Sequence, residues 1–149
     1  KKIAKKIYLA SPFFDEEQID RVSRAESALA KNETASSVFS PREHQHEEFE
    51  MFSHEWRIAT YDGDVDAIND ADIMVAVIDY VGQEVDPGTA WEFGYAVANN
   101  IPVIVVKEKE GAVNLMMGIP LTAYLTSVDD LATYDFDAVT EIPFTGEIF

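Results

Sequence analysis

Short runs of consecutive apolar residues alternate along the chain with longer stretches in which apolar residues recur every three or four positions. Strands alternating with helices produce that pattern. "IYLASPFF" (7–14) begins apolar and breaks at Ser11-Pro12, as a buried strand running into a loop does. "DEEQIDRVSRAESALAKN" (15–32) sets Ile19, Val22, Ala25 and Leu29 at helical spacing behind acidic residues, which predicts an amphipathic helix. "SSVFSP" (36–41) reads as a short strand. Residues 46–70 place Phe49, Phe52, Trp56 and Ile58 near helical period, with a break expected around Asp62-Gly63.

"ADIMVAVID" (71–79) and "IPVIVVKE" (101–108) are uninterrupted apolar runs rich in β-branched residues, the signature of strands buried on both faces. Between them a polar loop with Gly82 and Pro87 leads into a helix that ends near Asn99-Asn100. A weaker strand at 123–127 and a short helix at "VDDLATY" precede a tail without helical period. The pattern predicts an α/β fold: a parallel sheet with helices on both faces, one domain over residues 1–149.

Composition narrows the function. Of 149 residues, 47% are hydrophobic, which suits one well-filled core. The formal net charge of -17 repels phosphate backbones and anionic membrane surfaces, so neither a nucleic acid polymer nor a membrane is an expected partner. Four of the 11 basic residues, Lys1, Lys2, Lys5 and Lys6, lie at the N-terminus. Cysteine is absent, which excludes disulfides, thiolate nucleophiles and cysteine-based metal sites. No apolar stretch approaches the roughly 20 residues of a membrane span, and no leader-like pattern opens the chain, so a cytoplasmic protein is the expectation.

Several familiar sites fail on inspection. "DGDVDAINDADI" (62–73) resembles a calcium loop but has Ala67 and Ile73 where the turn glycine and the bidentate glutamate belong. His44, His46 and His54 lack metal-site spacing, and GxGxxG, GxxxxGK[ST] and GxSxG are all missing. Phe13, Phe14 and Phe39 read as core residues, with stacking on a planar base as the alternative role.

The run "DPGTAWEFGYA" (86–96) is different. Glu92 lies among small and aromatic residues with no Lys or Arg three or four positions away. A carboxylate on a solvated helix face is one account of it. The other is an ionised, partly desolvated carboxylate near a helix N-terminus, kept charged by the helix dipole and able to attack a sugar's anomeric carbon. Asp86 before Pro87 is a helix cap, a functional acid or both. A leaving group would need a proton, and several acids stand upstream in "YDGDVDAINDAD" (61–72).

Taken in order, "IYLASPFF", "TYDGDVDAINDADIMVAVID", "DPGTAWEFGYA", "VNLMM" and the terminal "GEIF" resemble the nucleoside 2-deoxyribosyltransferases over nearly the whole chain. The resemblance implies a flavodoxin-like, doubly wound, five-stranded parallel sheet and transfer of 2-deoxyribose between purine and pyrimidine bases. It implies a covalent deoxyribosyl-enzyme with neither metal nor cofactor. It further implies a homo-oligomer, a hexamer built as a trimer of dimers, with sites shared between subunits and a part in nucleotide salvage.

By resemblance Glu92 is the nucleophile, Tyr8 orients it, and Asp64 or Asp86 assists the departing base. Gln45 and Phe14 belong with the base; Asn114 and the terminal carboxylate of Phe149, with Met116 beside them, reach the sugar in a neighbouring subunit's site. The "SPFF" loop leaves base preference open. Two other functions fit less well. A deoxynucleoside 5′-monophosphate N-glycosidase on this fold would want cationic or backbone donors at the 5′ end. A non-catalytic, receiver-like acidic module would use Asp79 and Lys107 and leave Glu92 without a role.

Overall fold

The computed structural model describes residues 5–149, so Lys1 and Lys2 of the expected basic cluster lie outside it. Five strands, β1 (Lys5–Ala10), β2 (Ala35–Phe39), β3 (Ile73–Val77), β4 (Val103–Val106) and β5 (Ala123–Leu125), form one sheet in the order β2-β1-β3-β4-β5. All four pairings are parallel. The helices are α1 (Glu16–Ala30), α2 (His54–Asp70), α3 (Pro87–Ala98) and α4 (Leu115–Gly118). This is the flavodoxin-like doubly wound arrangement.

Alternation along each strand divides the core. Ile7, Leu9, Ile73, Val75 and Val77 pack on the α1 face with Val22, Ala25 and Leu29. Tyr8, Ala10, Met74 and Ala76 point the other way and pack with Ile68, Phe93 and Ala96 of α2 and α3. β3 is buried at every position, as its unbroken apolar run requires. In this strand order the winding direction reverses between β1 and β3, and the crevice above that reversal is where open parallel sheets hold ligands. Tyr8 on β1 pairs with Met74 on β3 beside it.

Four expectations are corrected. Residues 46–52 are turns, and α2 begins only at His54, capped by the Ser53 side chain, which accepts from the Trp56 amide at 3.2 Å. Its expected stripe does not form a core: Phe52 is 64% and Ile58 51% exposed, and Ile68 is the helix's one buried residue. Nor does α2 break at Gly63. A Cβ there would stand 3.2 Å from Nε2 of His46, so the glycine is a notch for that ring. The helix at "VDDLATY" is a short 3-10 turn over Val128–Ala132.

Candidate active site

Helix α3 is built to place one carboxyl. Asp86 caps it, Oδ2 accepting from the Thr89 amide at 2.9 Å and the Thr89 hydroxyl at 3.0 Å, with Pro87 in the first turn. Thr89, Phe93 and Ala96 turn inward and Trp91 turns outward, stacking on Tyr95 at 5.3 Å. Glu92 is left half-buried at the helix's edge, and its carboxyl accepts a short hydrogen bond from the hydroxyl of Tyr8. Tyr8 is fully buried and stacks on Phe39 at 5.7 Å, which stacks on His44 at 4.2 Å. The strand and helix supplying the two halves of this bond are 84 residues apart.

Electrostatics at Glu92 run against the dipole expectation. Burial pushes its carboxyl up to about 7, the Tyr8 hydrogen bond pulls it down, and the charges of Asp64 and Asp86 add to the rise. Glu92 is the sixth residue of α3, beyond the first turn to which the dipole's effect is confined. Burial, followed by the charges of Glu92 and Asp64, pushes the Tyr8 phenol far above its ordinary range, so it stays a donor. Asp64 is pushed up to about 6, by burial first, with His46 acting in the opposite direction.

Two cavities meet at Glu92. One, of about 440 Å³, is bordered by Phe14, Gln45, Asp64, Asp86 and Glu92 together with Trp56. The other, of about 420 Å³, shares Trp56, Thr60, Asp64, Gly88 and Glu92 with it and opens toward Trp91. Gly88, one turn before Glu92, borders both cavities, and a Cβ there would stand 3.2 Å from Oδ2 of Asp86. Phe14 is 67% exposed over this cavity rather than buried as core, while Phe39 packs against the core from its edge. Gln45 donates to the Arg42 carbonyl at 2.8 Å.

Asn114, Met116 and Phe149 gather elsewhere, around a third cavity of about 430 Å³. Asn114 caps α4, its Oδ1 accepting from the Met116 amide at 2.8 Å, and the Leu115 amide donates to the Phe149 carbonyl at 2.8 Å. Within this chain they do not border the Glu92 cavities.

Trp56, Thr60 and Gly88 were not singled out from sequence as site residues, although Trp56, Thr60 and Asp64 stand at successive spacings of four on one helix face. The receiver-like pair is spent structurally. Asp79 accepts from the Glu108 and Lys109 amides at 2.7 and 2.9 Å, and Lys107 donates to the Lys109 carbonyl. Among the described residues no group of three or more His, Asp and Glu side chains is placed to hold a metal, and no helix is long and apolar enough to cross a membrane.

A phenol-bound carboxyl beside a second acid, in a cavity at the switch point, can hold an electrophilic carbon against an oxygen nucleophile and move a proton to its leaving group. Similarity to known proteins gives the family. The sequence profile of the family described as Nucleoside 2-deoxyribosyltransferase matches residues 7–137. A Nucleoside deoxyribosyltransferase of Limosilactobacillus fermentum is 33% identical over 145 residues, covering 89% of this chain and 85% of that protein. One of Lactobacillus johnsonii is 31% identical over 149 residues, covering 92% and 98%. The structure of a 2-deoxyribosyltransferase from the psychrotolerant bacterium Bacillus psychrosaccharolyticus matches with a TM-score of 0.84 at 40% identity, over 93% of this chain and 98% of that one. This chain belongs to the nucleoside 2-deoxyribosyltransferase family.

Proposed function

We propose that the protein transfers 2-deoxyribose between purine or pyrimidine bases of 2′-deoxynucleosides, with Glu92 carrying the sugar covalently between two displacements. The observation that carries this is the Tyr8–Glu92 hydrogen bond beside Asp64 in one cavity. The phenol fixes the Glu92 rotamer, so a carboxylate oxygen meets C1′ without searching. As that oxygen bonds to C1′, the C1′–N bond breaks and its electron pair goes to the base, which takes a proton from Asp64. The negative carboxylate also stabilises the positive charge that develops on the sugar ring. An incoming base reverses each step: its nitrogen bonds to C1′, its N–H proton returns to Asp64, and Glu92 leaves. Atoms and charge balance with no cofactor.

Asp64 is the better proton carrier of the two acids, because an oxygen of Asp86 is committed to capping α3. With Glu92 near 7 and Asp64 near 6, the two carboxyls share one proton between those pH values, and the productive arrangement has it on Asp64. Gln45 and Phe14 border the base end. Asn114, Met116 and Phe149 serve the sugar of a neighbouring copy's site, which accounts for their lying away from Glu92 in their own chain. A hexamer built as a trimer of dimers, one domain over residues 1–149, a cytoplasmic location and nucleoside salvage complete this reading. Mass spectrometry of the protein mixed with a deoxynucleoside alone tests it. One added deoxyribosyl group per chain is expected, located on Glu92; product base without any adduct would refute the covalent route.

A further inference from the structure

Asp64 carries a burden that its own helix does not relieve: it accepts no hydrogen bond from the described residues, and burial raises it. One side chain outside the proposed machinery is brought to it. His46 sits in the turns before α2 with φ of 52°, a left-handed backbone that is uncommon outside glycine, and its ring lies against α2 at Gly63, next to Asp64. A Cβ at Gly63 would meet Nε2 at 3.2 Å and Cε1 at 3.5 Å, so the glycine's bareness and the ring's position belong together. Glycine in a helix interior is otherwise a poor choice.

We propose that His46, seated in the notch at Gly63, is a positioning residue that sets how readily Asp64 gives up and regains its proton. This rests on the transfer mechanism only for its consequence, not for the pairing. An acid that must protonate one base and deprotonate the next works best when neither direction is strongly uphill. Burial alone drives a carboxyl toward holding its proton, and a neighbouring imidazolium draws it back.

Other charges near His46 are accounted for. Glu48 on its own segment stands 3.5 Å from Nδ1, and Asp62 and Asp66 flank Gly63 along α2. Arg42 is held by Glu26, and Lys6, on β1, pairs with Asp70 at 3.3 Å. His44 is stacked on Phe39. His44 and Arg57 also border cavities that Asp64 lines, and His46 is the basic side chain seated at Gly63 itself.

The test is the titration of the Asp64 side-chain carboxyl, followed by carbon NMR on the labelled full chain, in wild type, His46→Asn and Gly63→Ala. Asparagine tolerates a positive φ, so His46→Asn removes the charge and keeps the turn. Gly63→Ala keeps every titrating group, favours the helix and displaces the ring. Both should raise the Asp64 midpoint, His46→Asn by roughly half a pH unit or more. Exchange above about pH 7 should quicken with it, because a larger fraction then has Glu92 charged and Asp64 protonated. A midpoint unchanged in both variants overturns the proposal. A raised midpoint in a protein that never forms the deoxyribosyl adduct supports the pairing while removing the transfer reading, so the two failures are told apart.

Discussion

Helices α1 and α2 have similar lengths, 15 and 17 residues, and opposite characters. α1 buries Val22, Ala25, Ala28 and Leu29 in a regular stripe, and its buried polar groups are paired. Gln18 accepts from the Phe14 amide at 2.8 Å, and Arg21 binds Glu17 at 2.8 Å and Glu108 at 3.3 Å. α2 buries only Ile68, and along the face that borders the cavities its polar groups are unmet: Thr60 Oγ1 is buried without a hydrogen-bond partner, and Asp64 accepts no bond from the described residues. Folding explains every polar contact of the first helix. The second holds groups whose partners folding did not supply, which is how a site departs from a core.

The largest effect tests the acceptor that this unmet face surrounds. Glu92→Gln should lower base exchange by about four orders of magnitude or more and abolish the adduct, since the amide cannot attack C1′. The same variant should alter stability in a direction set by pH. Glu92 stands near 7 when folded against an ordinary 4.5, so it holds its proton more tightly in the folded state. Its contribution to stability is therefore fullest below about pH 4.5 and is lost as pH rises through about 7, an amount on the order of 2–3 kcal/mol. Denaturation midpoints across that window should show a shallower decline in Glu92→Gln; identical slopes would mean that Glu92 is not the strained carboxyl.

A paired substitution breaks the helix comparison directly. Leu29→Ala in α1 should cost about 3 kcal/mol of stability while leaving exchange per folded molecule unchanged. Asp64→Asn in α2 should do the reverse, slowing exchange by roughly 10²-fold or more with stability held or raised, because a half-buried carboxyl that accepts no hydrogen bond is removed. If both variants lost stability and kept activity, α2 would be an ordinary packing helix.

Legibility in the sequence follows the same division. Elements that exist to be buried announce themselves: the unbroken runs of β3 and β4, the stripe of α1, the Asp86-Pro87 start of α3. Glu92 was conspicuous because a carboxylate among small and aromatic residues has no packing rationale. What could not be read was pairing across distance. Nothing local says that Tyr8 meets Glu92, or that Gly63 is bare for the sake of His46 rather than to end a helix. α2 misled for a physical reason: its aromatic residues serve cavity walls and exposed surface, so their spacing does not mark a core face. Resemblance to a family bridged the first of these gaps and left the second open.

The smallest expected effect is the sharpest test of whether the unmet face of α2 exists for a ligand. Thr60 stands one turn before Asp64, borders both cavities at Glu92, and keeps a hydroxyl out of solvent with no partner in the protein. A helical threonine ordinarily returns such a hydroxyl to the preceding turn's carbonyl, which is not the case here. Thr60→Val keeps the shape and deletes the oxygen. If the hydroxyl were merely tolerated, the variant should match wild type in exchange and gain up to about 1 kcal/mol, the desolvation of an unpaired group being relieved. If it answers to a bound nucleoside, stability should still hold or rise while KM for the deoxynucleoside climbs several-fold, roughly the worth of one neutral hydrogen bond. The second outcome is the one expected, because α1 demonstrates that this sequence pairs its buried polar groups wherever only folding is at stake. Denaturation and KM measured on the same preparation decide it.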